Sequence, residues 1–429
     1  MKNTMKYLLF CALLSATTAF YHPDLPPGPY CGLSNQKNCC PDREDGCSHP
    51  ILDTICYCDE FCDRGHDDCC PDYEPVCKGV TSPPPEYVKD PCRHNGKLYL
   101  EGEIRSADCN NCTCVQDAFN PNRLVWNCEK DPCLMNAEVV RGVNRGGSWR
   151  AYNYTQFYGK KLRDGIKYRL GTQPISSITR NMGPIRHDKD IPYPSHFDAR
   201  DQWPEYISPV VDQEWCASDW AISVATVASD RFAIQSNGAE KVVLSPQTLL
   251  SCNRRQQSGC EGGHIDIAWN YVRSQGLVDE ECYPYKAKVT KCKLIKKGNL
   301  VNDGCRIPVK ERTSRYKVAP PGKLNNEKDI MYDIMESGPV QAIMTVYQDF
   351  FHYRDGVYRH SYYGDQVMKG IHSVRIVGWG ETNGDRYWIV ANSWGCDWGE
   401  NGYFKIARGS NESGIESFVV TVLSEVATA

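Results

Sequence analysis

The sequence predicts an α+β protein in which small disulfide-rich modules precede one larger domain with a helical part and a strand-rich part. Three observations carry that prediction. Most of the 24 cysteines in this 429-residue chain lie in its first third, as in small stapled folds. Residues 220–234 are rich in alanine and apolar side chains, with polar Ser223, Ser229 and Asp230 sparse among them. A helix apolar on most sides is a buried one. Val374-Arg375-Ile376-Val377 and Tyr387-Trp388-Ile389-Val390 are β-branched and aromatic runs of strand length.

From the N-terminus, Lys2 and Lys6 flank an apolar run from Tyr7 to Leu14, and Thr17 and Ala19 stand at cleavage-compatible small positions. Residues 1–19 therefore read as a secretory signal peptide. A membrane anchor is the competing reading, but the run is too short for a hydrocarbon core of about 30 Å. The mature chain is expected to be soluble, secreted and oxidised. The sequons at Asn111, Asn153 and Asn411 then become glycan acceptors. Net charge is −4 and the sequence pI about 6.2, with no long basic run. Nucleic acid is not an expected partner, and no cofactor is expected.

Residues 27–79 hold ten cysteines between Cys31 and Cys77. A segment this short buries little apolar surface, so crosslinks must restrict its unfolded state instead. A zinc site is the alternative for such a cluster, but an even count in a secreted chain favours disulfides. The strings Cys56-Tyr57-Cys58-Asp59-Glu60-Phe61-Cys62 and Asp68-Cys69-Cys70-Pro71-Asp72-Tyr73 resemble a somatomedin B domain. That resemblance implies a module that binds extracellular proteins. Arg64-Gly65 is followed by His66, so an Arg-Gly-Asp adhesion mode has no support. A stiff linker, Thr81-Ser82-Pro83-Pro84-Pro85, comes next. Residues 80–136 carry Cys92, Cys109, Cys112, Cys114, Cys128 and Cys133 and look like a shortened von Willebrand factor type C module. Spacer and binding module both fit it.

Cysteines then vanish. Across 137–190, Trp149, Tyr152, Phe157, Tyr158 and Leu162 give a roughly helical apolar rhythm, and Leu170-Gly171-Thr172 follows. This stretch resembles the short propeptide of cathepsin B-like proteases, which lies through the active cleft. A permanent strap and a linker are both compatible with it.

Residues 191–429 begin with Ile191-Pro192-Tyr193-Pro194-Ser195-His196-Phe197-Asp198-Ala199-Arg200. They also contain Cys260-Glu261-Gly262-Gly263, Tyr283-Pro284-Tyr285, His372-Ser373-Val374 and Asn392-Ser393-Trp394-Gly395. With Gln213-Glu214-Trp215-Cys216-Ala217-Ser218-Asp219-Trp220, these strings resemble a cathepsin B-like member of the papain family. The resemblance implies a two-lobed papain-like fold, with a helical lobe around a helix starting near Ser218, a good N-cap residue, and a β-barrel-like lobe. It gives His372 the role of the histidine that holds the family's thiolate as an ion pair and later protonates the leaving amine, Asn392 that of its orienting partner, and Gln213 that of an oxyanion donor. Asp219 stands where the family has its nucleophilic cysteine. Glu214 and Ala217 stand where it has glycines, and Trp215 adds bulk. By the same match, Gly262 and Gly263 are cleft residues for extended peptides and Trp394 shields the histidine pair. The stretch from Lys286 to Asn302 lacks the histidine of the family's occluding loop. The match pairs Cys216 with Cys260 and Cys252 with Cys292. Cys282 with Cys305 is a further expectation, and Cys396 is left over, free or in an intermolecular bond.

Asp219 is expected to face His372 as a permanent acid–imidazole pair at a helix N-terminus, where a carboxylate gains roughly 0.3–1 kcal/mol. The module order resembles the tubulointerstitial nephritis antigen family, which implies a secreted, non-catalytic matrix binding or scaffold glycoprotein. A residual hydrolase and a decoy that holds peptides or inhibitors in its cleft are the alternatives. Expected partners are extracellular or matrix proteins, with no transmembrane anchor.

Overall fold

Cystines, rather than aliphatic side chains, form the centre of the first module. In the computed structural model, residues 29–32, 39–51, 54–64, 68–79, 90–175, 182–187, 191–292, 294 and 315–426 are described. The signal peptide, the 81–85 linker and Cys305 lie outside them. Strand β1 (Ser48–Ile51) pairs antiparallel with β2 (Thr54–Tyr57), and the short helix α1 (Tyr73–Cys77) follows. Sequence had left the connectivity open. The bonds are Cys31–Cys58, Cys39–Cys77, Cys40–Cys47, Cys56–Cys70 and Cys62–Cys69. Among the described residues they enclose only Ile51 and Tyr73 as large buried apolar side chains. Two of the three motif aspartates, Asp59 and Asp72, are backbone hooks. The Asp72 carboxylate accepts from the N–H groups of Tyr30 (2.7 Å) and Cys31 (3.1 Å), and the buried Asp59 accepts from those of Glu44 and Phe61 (both 3.1 Å).

Next come β3 (Cys92–His94) and β4 (Lys97–Tyr99), which pair with each other, then β5 (Ile104–Ala107), β6 (Asn110–Gln116) and β7 (Leu124–Cys128). Disulfides Cys92–Cys114, Cys109–Cys133 and Cys112–Cys128 close this part. The chain divides into two compact units, one of residues up to 101 with 114–125, the other of 102–113 with 126 onward. The division runs through the 80–136 segment.

In the second unit, α2 (Ala137–Val143), β8 (Trp149–Ala151) and α3 (Leu162–Arg169) precede β9 (Pro184–Ile185), β10 (Phe197–Asp198) and α4 (Ala199–Gln202). The helical lobe holds α5 (Asp219–Gln235), α6 (Pro246–Cys252) and α7 (Ile265–Gln275). The strand-rich lobe follows with β11 (Gly322–Leu324), α8 (Glu327–Ser337), β12 (Val340–Val346), β13 (Tyr353–Tyr358), β14 (Gly370–Thr382), β15 (Asp385–Ala391), β16 (Tyr403–Ala407) and β17 (Val419–Thr421). One large sheet runs β8-β13-β16-β15-β14-β12-β17-β11-β9, and β10 adds to β14. This is the two-lobed α+β architecture that the sequence predicts.

Helix α5 is buried on every side from Asp219 to Ile234, as its alanine-rich composition requires. One expectation about it is corrected. Ser218 occupies the N-cap position but makes no capping bond. Its backbone (φ −112°, ψ 12°) is not extended, and its hydroxyl instead meets the Tyr285 hydroxyl at 2.5 Å. Polar side chains of α5 tie the lobes together. Asp230 accepts from Arg375 Nη1 of β14 at 2.6 Å, and the Ser223 hydroxyl accepts from Gln341 Nε2 at 2.7 Å.

The 137–170 stretch is not an appendage. Leu134, Val139, Trp149, Phe157 and Leu162 belong to the same hydrophobic cluster as Phe350, Trp388 and Phe404 of the strand-rich lobe. Strand β8 also extends the sheet, with Trp149 opposite Gly356. The Trp149 indole N–H donates to the Arg359 carbonyl at 2.9 Å.

Candidate functional site

The site forms where the first residue of α5 meets β14. Asp219 opens the helix, and His372 lies near the start of β14; both are completely buried. Strand β15 runs antiparallel to β14 with Ala391 opposite Arg375, which brings the next residue, Asn392, beside His372. His372 Nε2 lies 2.7 Å from Asn392 Oδ1 and Nδ1 lies 3.2 Å from Asp219 Oδ2. Each ring nitrogen therefore faces an oxygen. The Trp394 ring lies 5.2 Å from the imidazole and stacks on Phe351 at 4.7 Å. Asn392 Nδ2 and Trp394 Nε1 are buried without a hydrogen-bond partner.

Gln213 joins the group from the preceding loop. Its side-chain oxygen accepts from the Ser393 hydroxyl at 2.7 Å, and its amide nitrogen faces the carbonyls of Cys216 (3.0 Å), Arg169 (3.3 Å) and Tyr168 (3.4 Å). The Cys216–Cys260 disulfide anchors this loop, and Cys252–Cys292 lies further along the lobe. Cys282 is also disulfide-bonded, while its expected partner Cys305 is outside the described residues. Cys396 is free and exposed. Glu214, at a motif glycine position, has φ +53°. That left-handed conformation is one glycine adopts freely and other residues adopt at a cost of roughly 1–2 kcal/mol.

The cleft is filled by the chain itself. Thr172 forms a parallel bridge with Gly263. The Gln173 N–H donates to the Gly263 carbonyl and the Gly263 N–H to the Gly171 carbonyl, both at 2.9 Å. Gly262, with φ +114°, sits so close that a Cβ would fall 2.5 Å from the Gly171 oxygen. The same strap engages Asp219. The Gly171 N–H donates to Oδ1 and the Thr172 hydroxyl to Oδ2, each at 2.6 Å, and the Ser373 N–H donates to Oδ2 at 2.9 Å. With His372, four groups thus converge on one carboxylate. A Cβ on Gly171 would lie 2.0 Å from the Ala217 oxygen, so only glycine passes there.

A second anchor lies one step back. Arg169 is buried, donates to Asp212 Oδ1 at 2.9 Å, and sits 5.0 Å from the Trp215 ring and 5.2 Å from Phe157. Burial pulls its guanidinium below the ordinary range, and the Asp212 carboxylate opposes that shift. The bulk of Trp215 is therefore used as a ring face for the strap's cation. Reading the sequence missed Arg169, Gly171, Thr172 and Asp212. Leu170-Gly171-Thr172 stands out as a string, but nothing local says which side chain it meets. Among the described residues, the only cluster with metal-ligand spacing is Cys31, Cys58 and Cys70, whose sulfurs are all in disulfides.

The fold is shared with known proteins. Residues 193–423 match the papain family of cysteine proteases. The tubulointerstitial nephritis antigen of Bos taurus is 38% identical over 439 residues, which cover 94% of this chain and 88% of that protein. The tubulointerstitial nephritis antigen-like protein of Homo sapiens is 41% identical over 425 residues, 93% of this chain and 89% of that one. Procathepsin B S9 of Trypanosoma congolense superposes with a TM-score of 0.60 at 32% identity, over 68% of this chain and 99% of that structure.

Proposed function

This chain belongs to the papain family, in the group that holds the tubulointerstitial nephritis antigens, and from that membership we propose that it is a secreted, non-catalytic matrix binding or scaffold glycoprotein. The observation that carries the reading is the Asp219 carboxylate with its four donors, two of them from the strap. A carboxylate is a poor nucleophile toward an unactivated amide. Loss of the nucleophile in a comparable triad lowers turnover about 10⁶-fold. Its negative charge beside a developing oxyanion would also oppose the charge that Gln213 would stabilise. His372, Asn392 and Gln213 then serve as a rigid support rather than as machinery.

The strap bears on the decoy alternative. A peptide could reach Gly263 only after residues 171–173 had left it, and two buried anchors hold them there. Binding work therefore falls to other surfaces, the somatomedin B-like segment at 27–79 first among them. Secretion is supported by the disulfide density, and among the described residues no helix is long and apolar enough to cross a membrane.

The test has two arms on the purified, secreted full-length chain. A peptide library should remain uncleaved, and decellularised matrix should retain the protein. Hydrolysis abolished by His372→Ala would establish the hydrolase alternative instead. Capture of a cathepsin inhibitor with no retention by matrix would establish the decoy.

A further inference from the structure

Away from Asp219, a cavity of about 370 Å³ opens between the turn after α2 and the loop after β13. Its walls include Arg145, Trp149, Arg359, His360, Ser361 and Tyr363, and no carboxylate among the described residues lines it. The Arg145 side chain has no ion-pair or hydrogen-bond partner among the described residues. Arg359 is fixed by its carbonyl, which accepts from Trp149, while its side chain pairs with Asp385 at 3.1 Å with both partners nearly half exposed. An ion pair so exposed holds its members weakly.

His360 supplies a third cation by hydrogen-bond logic. Its Nδ1 lies 3.2 Å from both oxygens of the buried Asp349, and its Nε2 lies 3.0 Å from Gln366 Oε1. The Gln366 amide nitrogen faces the carbonyls of Ser361, Tyr363 and Gly364, which fixes Oε1 as the acceptor. A ring with an acceptor at each nitrogen holds both protons. Burial alone would lower its pKa; the bond to Asp349, that residue's charge and the bond to Gln366 outweigh it and raise the pKa above the ordinary histidine value. Glu412, whose Oε1 accepts from the His360 N–H, touches this group but does not line the cavity. Ser361 adds a buried hydroxyl with no partner.

We propose that this cavity binds an acidic sugar unit, with its sulfate or carboxylate group between Arg145, Arg359 and the Ser361 hydroxyl. Charge-assisted bonds to arginine are the strong ones for such oxyanions. The volume is at the small end of ligand pockets, roughly 300–1,000 Å³. Tyr363 lines the cavity and is 49% exposed, and its ring offers apolar surface for the sugar. Residues 286–317 hold eleven Lys and Arg against two acidic residues, so binding is assigned to the cavity by the variants below and not by its occurrence. The site does not rest on the non-catalytic reading, because it shares no residue with the Asp219 cluster. It does require residues 142–149 to stay in place.

The test is calorimetric titration of the intact secreted chain with a sulfated uronic-acid disaccharide, a neutral disaccharide with neither sulfate nor carboxylate, and inorganic sulfate. The sulfated disaccharide should bind, the neutral one should not, and Arg145→Ala should weaken binding about tenfold or more. Arg145 is exposed and unpaired, so that variant should melt with the wild type; Ser361→Ala, which also removes a proposed donor, serves as an independent second variant. Equal binding by wild type and both variants would overturn the site, as would no binding at millimolar disaccharide. Inorganic sulfate binding as tightly as the disaccharide would overturn the sugar assignment.

Discussion

Replacing Asp219 by asparagine changes one oxygen of the carboxylate to an NH₂ and almost nothing else. Oδ2 accepts from the Thr172 hydroxyl and the Ser373 N–H and faces His372 Nδ1, whereas Oδ1 accepts only from Gly171. The amide should therefore keep its oxygen at the Oδ2 site and turn its NH₂ toward Gly171. That leaves one buried N–H opposite another donor, at about 1–3 kcal/mol. The deficit falls on the strap, so its local opening should become about 5- to 150-fold more frequent. Hydrogen exchange over residues 165–175 measures this, with residues 220–234 of α5 as the internal control. Unchanged exchange in 165–175, with both peptides resolved, would refute the assignment of Asp219 as the strap's anchor.

Further outcomes follow from other contacts. His352 is buried, and burial lowers its pKa to about 4; the Asn136 N–H faces its Nε2 and the Tyr152 carbonyl its Nδ1. Its folded value is below the ordinary 6.5, so the unfolded chain takes up the proton first, and stability falls as pH drops from about 6.5 to about 4. The full effect approaches about 3 kcal/mol. Denaturant midpoints at pH 7 and 4.5 should diverge more for wild type than for His352→Gln, and equal slopes would count against it. Gly171→Ala forces a methyl onto the Ala217 carbonyl. It should destabilise by roughly 1–3 kcal/mol, read as a lower melting temperature with faster exchange in the strap. Cys396 is exposed and unpaired, so the native chain should take a maleimide there, and Cys396→Ser should abolish that label.

Much of the chemistry was legible in order along the chain. Gln213 and Asp219 come from one string and His372 and Asn392 from two others, and the β14–β15 register and the start of α5 bring them together. The burial of α5 follows from composition alone. Ser218 misled because capping depends on backbone torsion, which residue type does not fix. Trp215 read only as added bulk, since its partner Arg169 is 46 positions upstream. Nothing in the cysteine spacing chose among the pairings of ten residues. The sharing of one core by 134–170 and the strand-rich lobe was hidden too, because an apolar rhythm reports that a face is covered and not by what.

That shared core alters what proteolysis could accomplish. Leu134, Val139, Trp149, Phe157 and Leu162 are all buried against the strand-rich lobe, and each such side chain holds on the order of 1.5–3 kcal/mol when fully covered. A protease that nicked the backbone after residue 175 would sever the covalent link but leave those rings and branches seated. The two pieces would travel through a column as one particle and separate only in denaturant, so a cut chain and an opened cleft are different events in this molecule.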